Sequence, residues 1–132
     1  MASTPRNQEG FTIGSISFSV PQARNQLMNK EVVYTFRWAR RAFFKKEKGS
    51  AERAWAKTKR TGPKIADVLI EEIDRIPVET DYLEPFADES GFPSAEAWYD
   101  KIWAMTNPYT VNSHGYIYRV TRLSQQLRND PK

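Results

Sequence analysis

Between Phe11 and Val20 apolar and small polar side chains alternate, placing Ile16, Phe18 and Val20 on one face, the pattern of a half-buried strand. Pro21 ends that strand. It also suits the first turn of a helix running through Met28, because a proline there gives up only an N–H that has no intrahelical partner. The next stretch, Glu31 to Trp38, is dense in β-branched and aromatic residues and carries the strongest strand signal in the chain. Side chains alternate with period two along a strand, so Tyr34, Phe36 and Trp38 share one face while Val33, Thr35 and Arg37 share the other.

Charge crowds Arg40 to Lys48, Gly49-Ser50 interrupts it, and Ala51 to Lys59 follows with good helix formers. Gly62-Pro63 marks a turn. Beyond it Ile65, Val68, Ile70, Ile73 and Ile76 fit the helix and strand templates only in part, and their β-branched content favours a long strand over Lys64 to Ile76. Pro77, Pro85 and Pro93 punctuate the following acidic part; Pro93-Ser94 then opens a helix in which Ala95, Trp98, Ile102 and Met105 recur at helical spacing. After Asn107-Pro108 a polar loop reaches Gly115, and Tyr116 to Leu123 forms a closing strand with Tyr116, Tyr118 and Val120 on one face. Strands and helices mix without the regular alternation of a doubly wound sheet, so the class is α+β, a small curved sheet or barrel with flanking helices. One domain over residues 11–123 is expected, with flexible tails at 1–10 and 124–132.

Composition narrows the chemistry. Of 132 residues 39% are hydrophobic and 13% aromatic, enough apolar surface for a core that needs no metal or cross-link. The absence of cysteine removes disulfides, thiolate nucleophiles and every cysteine-containing zinc motif. His114 is the only histidine; between Ser113 and Gly115 it reads as a solvent-exposed loop imidazole, and adjacency to a serine does not make a catalytic triad. No metal or other cofactor is expected. The polar stretch Met1 to Gly10 has no run apolar enough for a signal peptide or membrane span, so a cytoplasmic protein without membrane contact is expected.

The net charge of +4 conceals two opposed segments: residues 37–64 hold 11 Lys or Arg against Glu47 and Glu52, and residues 67–101 hold 11 carboxylates against Arg75 and Lys101. Folding could neutralise one with the other across the surface. Alternatively Arg37, Arg40, Arg41, Lys45, Lys46, Lys57, Lys59, Arg60 and Lys64, interleaved with Trp38, Phe43, Phe44 and Trp55, form a face for RNA or a nucleotide-like ligand. Lysine and arginine neutralise phosphates, and exposed aromatic rings stack unpaired bases. Trp55 would either stack a base or cover the end of a barrel. Arg37 would face a pocket with Thr35, or pair with a carboxylate such as Glu71 or Glu72. The acidic residues Glu79, Asp81, Glu84, Asp88 and Glu89 offer a docking surface for a basic protein partner.

Phe18, Thr35, Arg37, Gly62, Lys64, Gly91-Phe92 and the run Gly115-Tyr116-Ile117-Tyr118-Arg119-Val120 occur in an order that resembles the ASCH domain family of the PUA-like superfamily, over roughly Ser15 to Leu123. That resemblance implies a β-barrel with helices outside and a role in RNA-linked processes: nucleic-acid binding, hydrolysis of an acetylated cytidine, or ribonuclease action. The family motif G-x-K-x-x-T-x-R matches at Thr35 and Arg37, whereas its glycine and lysine fall on Lys30 and Val32. Valine can neither accept a proton nor stabilise charge. A hydrolase of this type would therefore act through Thr35 with Lys30 or Lys64 as the amine and Glu89 as the nearest glutamate, Glu84 and Asp88 being alternatives. Three readings follow: a module for unpaired RNA with a pocket at Thr35 and Arg37, an ASCH-type hydrolase, and a protein-interaction module.

Overall fold

A computed structural model describes residues 14–47, 49–107 and 113–123 of the chain, so the expected tails lie outside the described residues. The strands β1 (Gly14–Ser17), β2 (Val32–Arg37), β3 (Glu52–Lys57), β4 (Lys64–Pro77) and β5 (His114–Arg122) form one sheet in the order β1-β3-β4-β5-β2. β1 runs parallel to β3 and the other pairings are antiparallel. Around the sheet lie α1 (Pro21–Lys30), α2 (Ala42–Lys46), α3 (Thr80–Leu83), a 3₁₀ helix (Glu84–Glu89) and α4 (Ala95–Ala104). The class is α+β. None of the described helices is long and apolar enough to cross a membrane.

β4 organises both faces of the sheet. Val68 and Ile70 are buried with Ile16, Val33, Tyr118 and Val120 in a first core, closed by Phe18, by Ala23 and Leu27 of α1 and by Phe44 of α2. At Glu72/Asp74 the register with β5 shifts, leaving Ile73 without an opposite partner and 36% exposed. A bulge of this kind transfers the following side chains to the other face. Ile76 therefore joins a second core with Ile117, Leu83, Ala87, Ala95 and Trp98, against which Tyr34 and Phe36 of β2 pack. The bulge is also why the apolar spacing over this segment fits neither period cleanly.

The helix formers of Ala51 to Lys59 build β3 instead. Glu52, Ala54 and Ala56 are buried while Arg53, Trp55 and Lys57 point outward, a period-two division. Pairing with β1 on one side and β4 on the other satisfies the segment's backbone, which outweighs a helix preference of a few tenths of a kcal/mol per residue. At the starts of two helices the local signals agree with the outcome. Pro21 opens α1, and the Ser94 hydroxyl caps α4 by accepting the Ala97 N–H at 3.0 Å.

β1 and β2 are the two edges of the sheet, and among the described residues no backbone pairing joins them into a closed barrel. Arginine side chains bridge the gap. Arg37 Nη2 donates to the Ser17 carbonyl at 3.0 Å and Arg41 Nη1 to the Ser15 carbonyl at 3.1 Å, while Arg24 of α1 ties the turn after β1 by donating to the Phe18 carbonyl at 3.1 Å. Arg41 also makes a two-pronged ion pair with Glu52, at 2.8 and 3.2 Å, and its backbone N–H donates to the Tyr118 hydroxyl at 2.8 Å. Burial raises the Tyr118 phenol to about 12, so it stays protonated as the acceptor of that bond.

Because Glu52 is only 8% exposed, Arg41→Ala strands a buried carboxylate and is expected to destabilise the protein by about 3 kcal/mol, read as a lower urea midpoint at unchanged slope. Lys45→Ala, on the exposed side of α2, is expected to change stability by less than about 0.5 kcal/mol. Equal losses in the two variants would contradict the bridging role of Arg41.

Candidate nucleic-acid interface

The alternation along β2 acquires a consequence at the sheet edge. Because no strand flanks its outer side, residues from both of its faces line one cavity of about 170 Å³: Thr35 and Arg37 from one face, Tyr34, Phe36 and Trp38 from the other. The opposite walls come from Ser17 to Val20 before α1, from Ser90 and Phe92, and from Trp98, Lys101, Ile102 and Met105 of α4 and its end. Two glycines allow the walls to close up. A Cβ on Gly91, which sits at φ 91, would run into the Gln22 carbonyl, and one on Gly115 would occupy the space of the Phe36 ring.

Arg37 dominates the electrostatics. Its Nε–H donates to Thr35 Oγ1 at 3.3 Å and its Nη2 to the Ser17 carbonyl, while its guanidinium lies 5.5 Å from the centre of the Phe18 ring. These contacts leave much of the fork of N–H donors free. No carboxylate pairs with it among the described residues: Glu71 binds Arg119 at 2.9 Å, and Glu72 binds Arg40 at 2.8 and 2.7 Å. Burial pulls the Arg37 guanidinium down to about 10, and repulsion from Arg41 adds to the shift. Arg40 is displaced upward by its hydrogen bond to Glu72.

Lys101 supplies a second cation, and among the described residues no carboxylate lines the cavity. The aromatic side of the cavity is held in place. Trp38 Nε1–H donates to Thr106 Oγ1 at 3.0 Å, Thr106 donates onward to the Ile102 carbonyl, and the Trp38 ring meets Phe36 edge-on at 5.0 Å. Lys101 escaped the reading of the sequence, although it follows Trp98 by three residues and precedes Met105 by four, on the apolar face of α4.

The basic run does not present one uniform face. Arg40, Arg41 and Lys64 are paired with Glu72, Glu52 and Asp67. Lys64 also lies 5.0 Å over the Trp55 ring, covering the surface expected to stack a base. Lys45 and Lys46 stand exposed on α2, which the Arg41–Glu52 pair fixes at the Glu52 end of β3. Lys57 lies at the other end of β3, roughly 17 Å along the strand, where it pairs with Ser17 and its carbonyl accepts the Phe18 N–H at 2.8 Å, and exposed Lys59 and Arg60 follow in the turn to β4.

The residues expected of a hydrolase do not converge. Thr35 lines the cavity; Lys30 is the exposed last residue of α1 at the far end of β2, Lys64 is paired, and Glu89 is exposed on the 3₁₀ helix. Glu84 and Asp88 are exposed beside it, and Glu79 and Asp81 complete an acidic surface over the second core. His114 is a half-buried first residue of β5 rather than an exposed loop residue; pairing with Pro77 draws it into the sheet, with Nδ1 2.8 Å from Ser113 Oγ. Comparison with protein-family models, curated proteins and solved structures finds no significant match to the chain.

A half-buried charge without an acidic partner adds little to folding. Arg37→Met is accordingly expected to alter stability by no more than about 1 kcal/mol in urea denaturation, against about 3 for Arg41→Ala. A loss as large as that of Arg41→Ala would make Arg37 a structural residue.

Proposed function

We propose that the domain binds unpaired RNA, taking a nucleotide into the cleft around Thr35 and Arg37. One observation carries the reading: two cations, Arg37 and Lys101, share a cavity with Phe36, Trp38, Phe92 and Trp98, and among the described residues no carboxylate lines it. A nucleotide joins a flat π-surface to an anion, and these walls complement both parts. At about 170 Å³ the cavity is smaller than the roughly 300–1,000 Å³ that encloses a drug-sized ligand. It suits one nucleotide projecting from a chain that continues outside, and Lys57, whose backbone meets Ser17 and Phe18 of the cavity wall, leads into Lys59 and Arg60 as the candidates for the neighbouring phosphates. The same reading takes the five strands as the wall of an ASCH-like barrel whose mouth is the β1–β2 seam. Binding is favoured over hydrolysis because, among the described residues, no acidic side chain lines the cavity with the Thr35 hydroxyl to act as a general base.

Fluorescence anisotropy of a labelled single-stranded RNA, titrated with protein at several salt concentrations, tests the proposal. The expected double-logarithmic slope is about −3, corresponding to about four phosphate contacts. Arg37→Met should weaken binding by about tenfold or more, duplex RNA of the same sequence should bind less well, and the RNA should be recovered intact. Flat anisotropy at low salt would reject the reading, and cleaved RNA would replace it with a nuclease.

A further inference from the structure

The charge balance of the cleft says more about the ligand than that it is anionic. Arg37 and Lys101 bring two positive charges to one cavity, and neither has an ion-pair partner among the described residues. The sheet carboxylates Glu52, Glu71 and Glu72 are held by Arg41, Arg119 and Arg40 rather than by the cations of the cleft. Arg37 is fixed by Thr35 and Ser17 with N–H donors left over, and Lys101 is a compact ammonium with three more. Two cations that line one cavity and have no ion-pair partner among the described residues favour an anion there, and a dianion compensates both.

An internal phosphodiester carries a single negative charge. A phosphate monoester carries close to two at neutral pH, with its second ionisation near pH 6, and offers three acceptor oxygens. We infer that the cleft recognises a terminal phosphate, that of a phosphorylated RNA end or of a nucleoside monophosphate, gripped between Arg37 and Lys101 with its base against the aromatic wall. This rests on the nucleotide reading above and narrows its ligand class. A chain end also enters a cavity of about 170 Å³ more readily than an internal residue flanked on both sides.

The test compares oligoribonucleotides of one sequence bearing a 5′-phosphate, a 3′-phosphate or only hydroxyl ends, together with the corresponding nucleoside monophosphate, by calorimetry between pH 5 and 8. One of the phosphorylated ends is expected to bind about tenfold or more tighter than the hydroxyl-ended strand at pH 7.5. That advantage should shrink as the pH falls through about 6 and the monoester gains a proton. Among the described residues no histidine or carboxylate lines the cleft, so the pH-dependent charge expected there in this range is the ligand's. Lys101→Met should narrow the ratio to below about threefold; a ratio measured on one protein preparation does not depend on the fraction folded. Monophosphate binding as tight as the phosphorylated strand assigns the site to free nucleotides, and weaker binding assigns it to RNA ends; either supports terminal-phosphate recognition. Equal affinities for phosphorylated and hydroxyl-ended strands, flat across pH 6, would overturn this inference while leaving RNA binding intact. No binding by any of the four would remove RNA binding as well.

Discussion

The two edges of the sheet meet through guanidinium groups, and the difference between those groups organises the molecule. Arg41 and Arg37 reach the Ser15 and Ser17 carbonyls of β1, two residues apart and therefore on the same side of the strand. Arg41 brings Glu52 with it, so its charge is compensated where it lies. Arg37 has a hydroxyl and a carbonyl for partners but no anion, and burial already weakens its hold on its proton. One arginine closes the seam as part of the fold; the other closes it while keeping an unmet demand for negative charge.

What that demand faces is set by a bulge in β4. By turning Ile76 to the opposite side of the sheet, the register shift at Ile73 creates the second core, and α3, the 3₁₀ helix and α4 pack upon it. That packing carries Phe92, Trp98 and Lys101 to the outer edge of β2, across from Thr35 and Arg37. Gly91 and Gly115 permit the close approach, since a side chain at either position would displace α1 or the Phe36 ring. A backbone irregularity on one strand thus determines which aromatic and basic groups share a cavity with a residue of another.

A clean period made β2, with its division into Thr35/Arg37 and Tyr34/Phe36/Trp38 faces, and α4 behind Ser94 legible from the residues alone, and the long β4 was legible from its β-branched content despite its broken period. β3 was not, because alanines favoured in helices were recruited by sheet pairing on both sides. The pocket pair Thr35 and Arg37 was legible because both lie on one strand face. Loss of Arg40 and Arg41 from the binding face was hidden, since their partners Glu72 and Glu52 lie 32 and 11 residues away. Lys101 was hidden for a related reason: it comes from a segment whose overall charge is strongly acidic, and only the fold separates it from its neighbours.

Every part of this account depends on Arg37 being the arginine that meets the ligand. Its most direct measurement follows the side-chain Nε–H resonances of isotope-labelled arginine while a short single-stranded RNA is added. The account predicts that the Arg37 resonance, assigned by its loss in Arg37→Met, shifts progressively and saturates, while those of the carboxylate-bound Arg40, Arg41 and Arg119 stay in place. Shifts confined to exposed or carboxylate-bound arginines, with Arg37 unmoved at saturation, would contradict it.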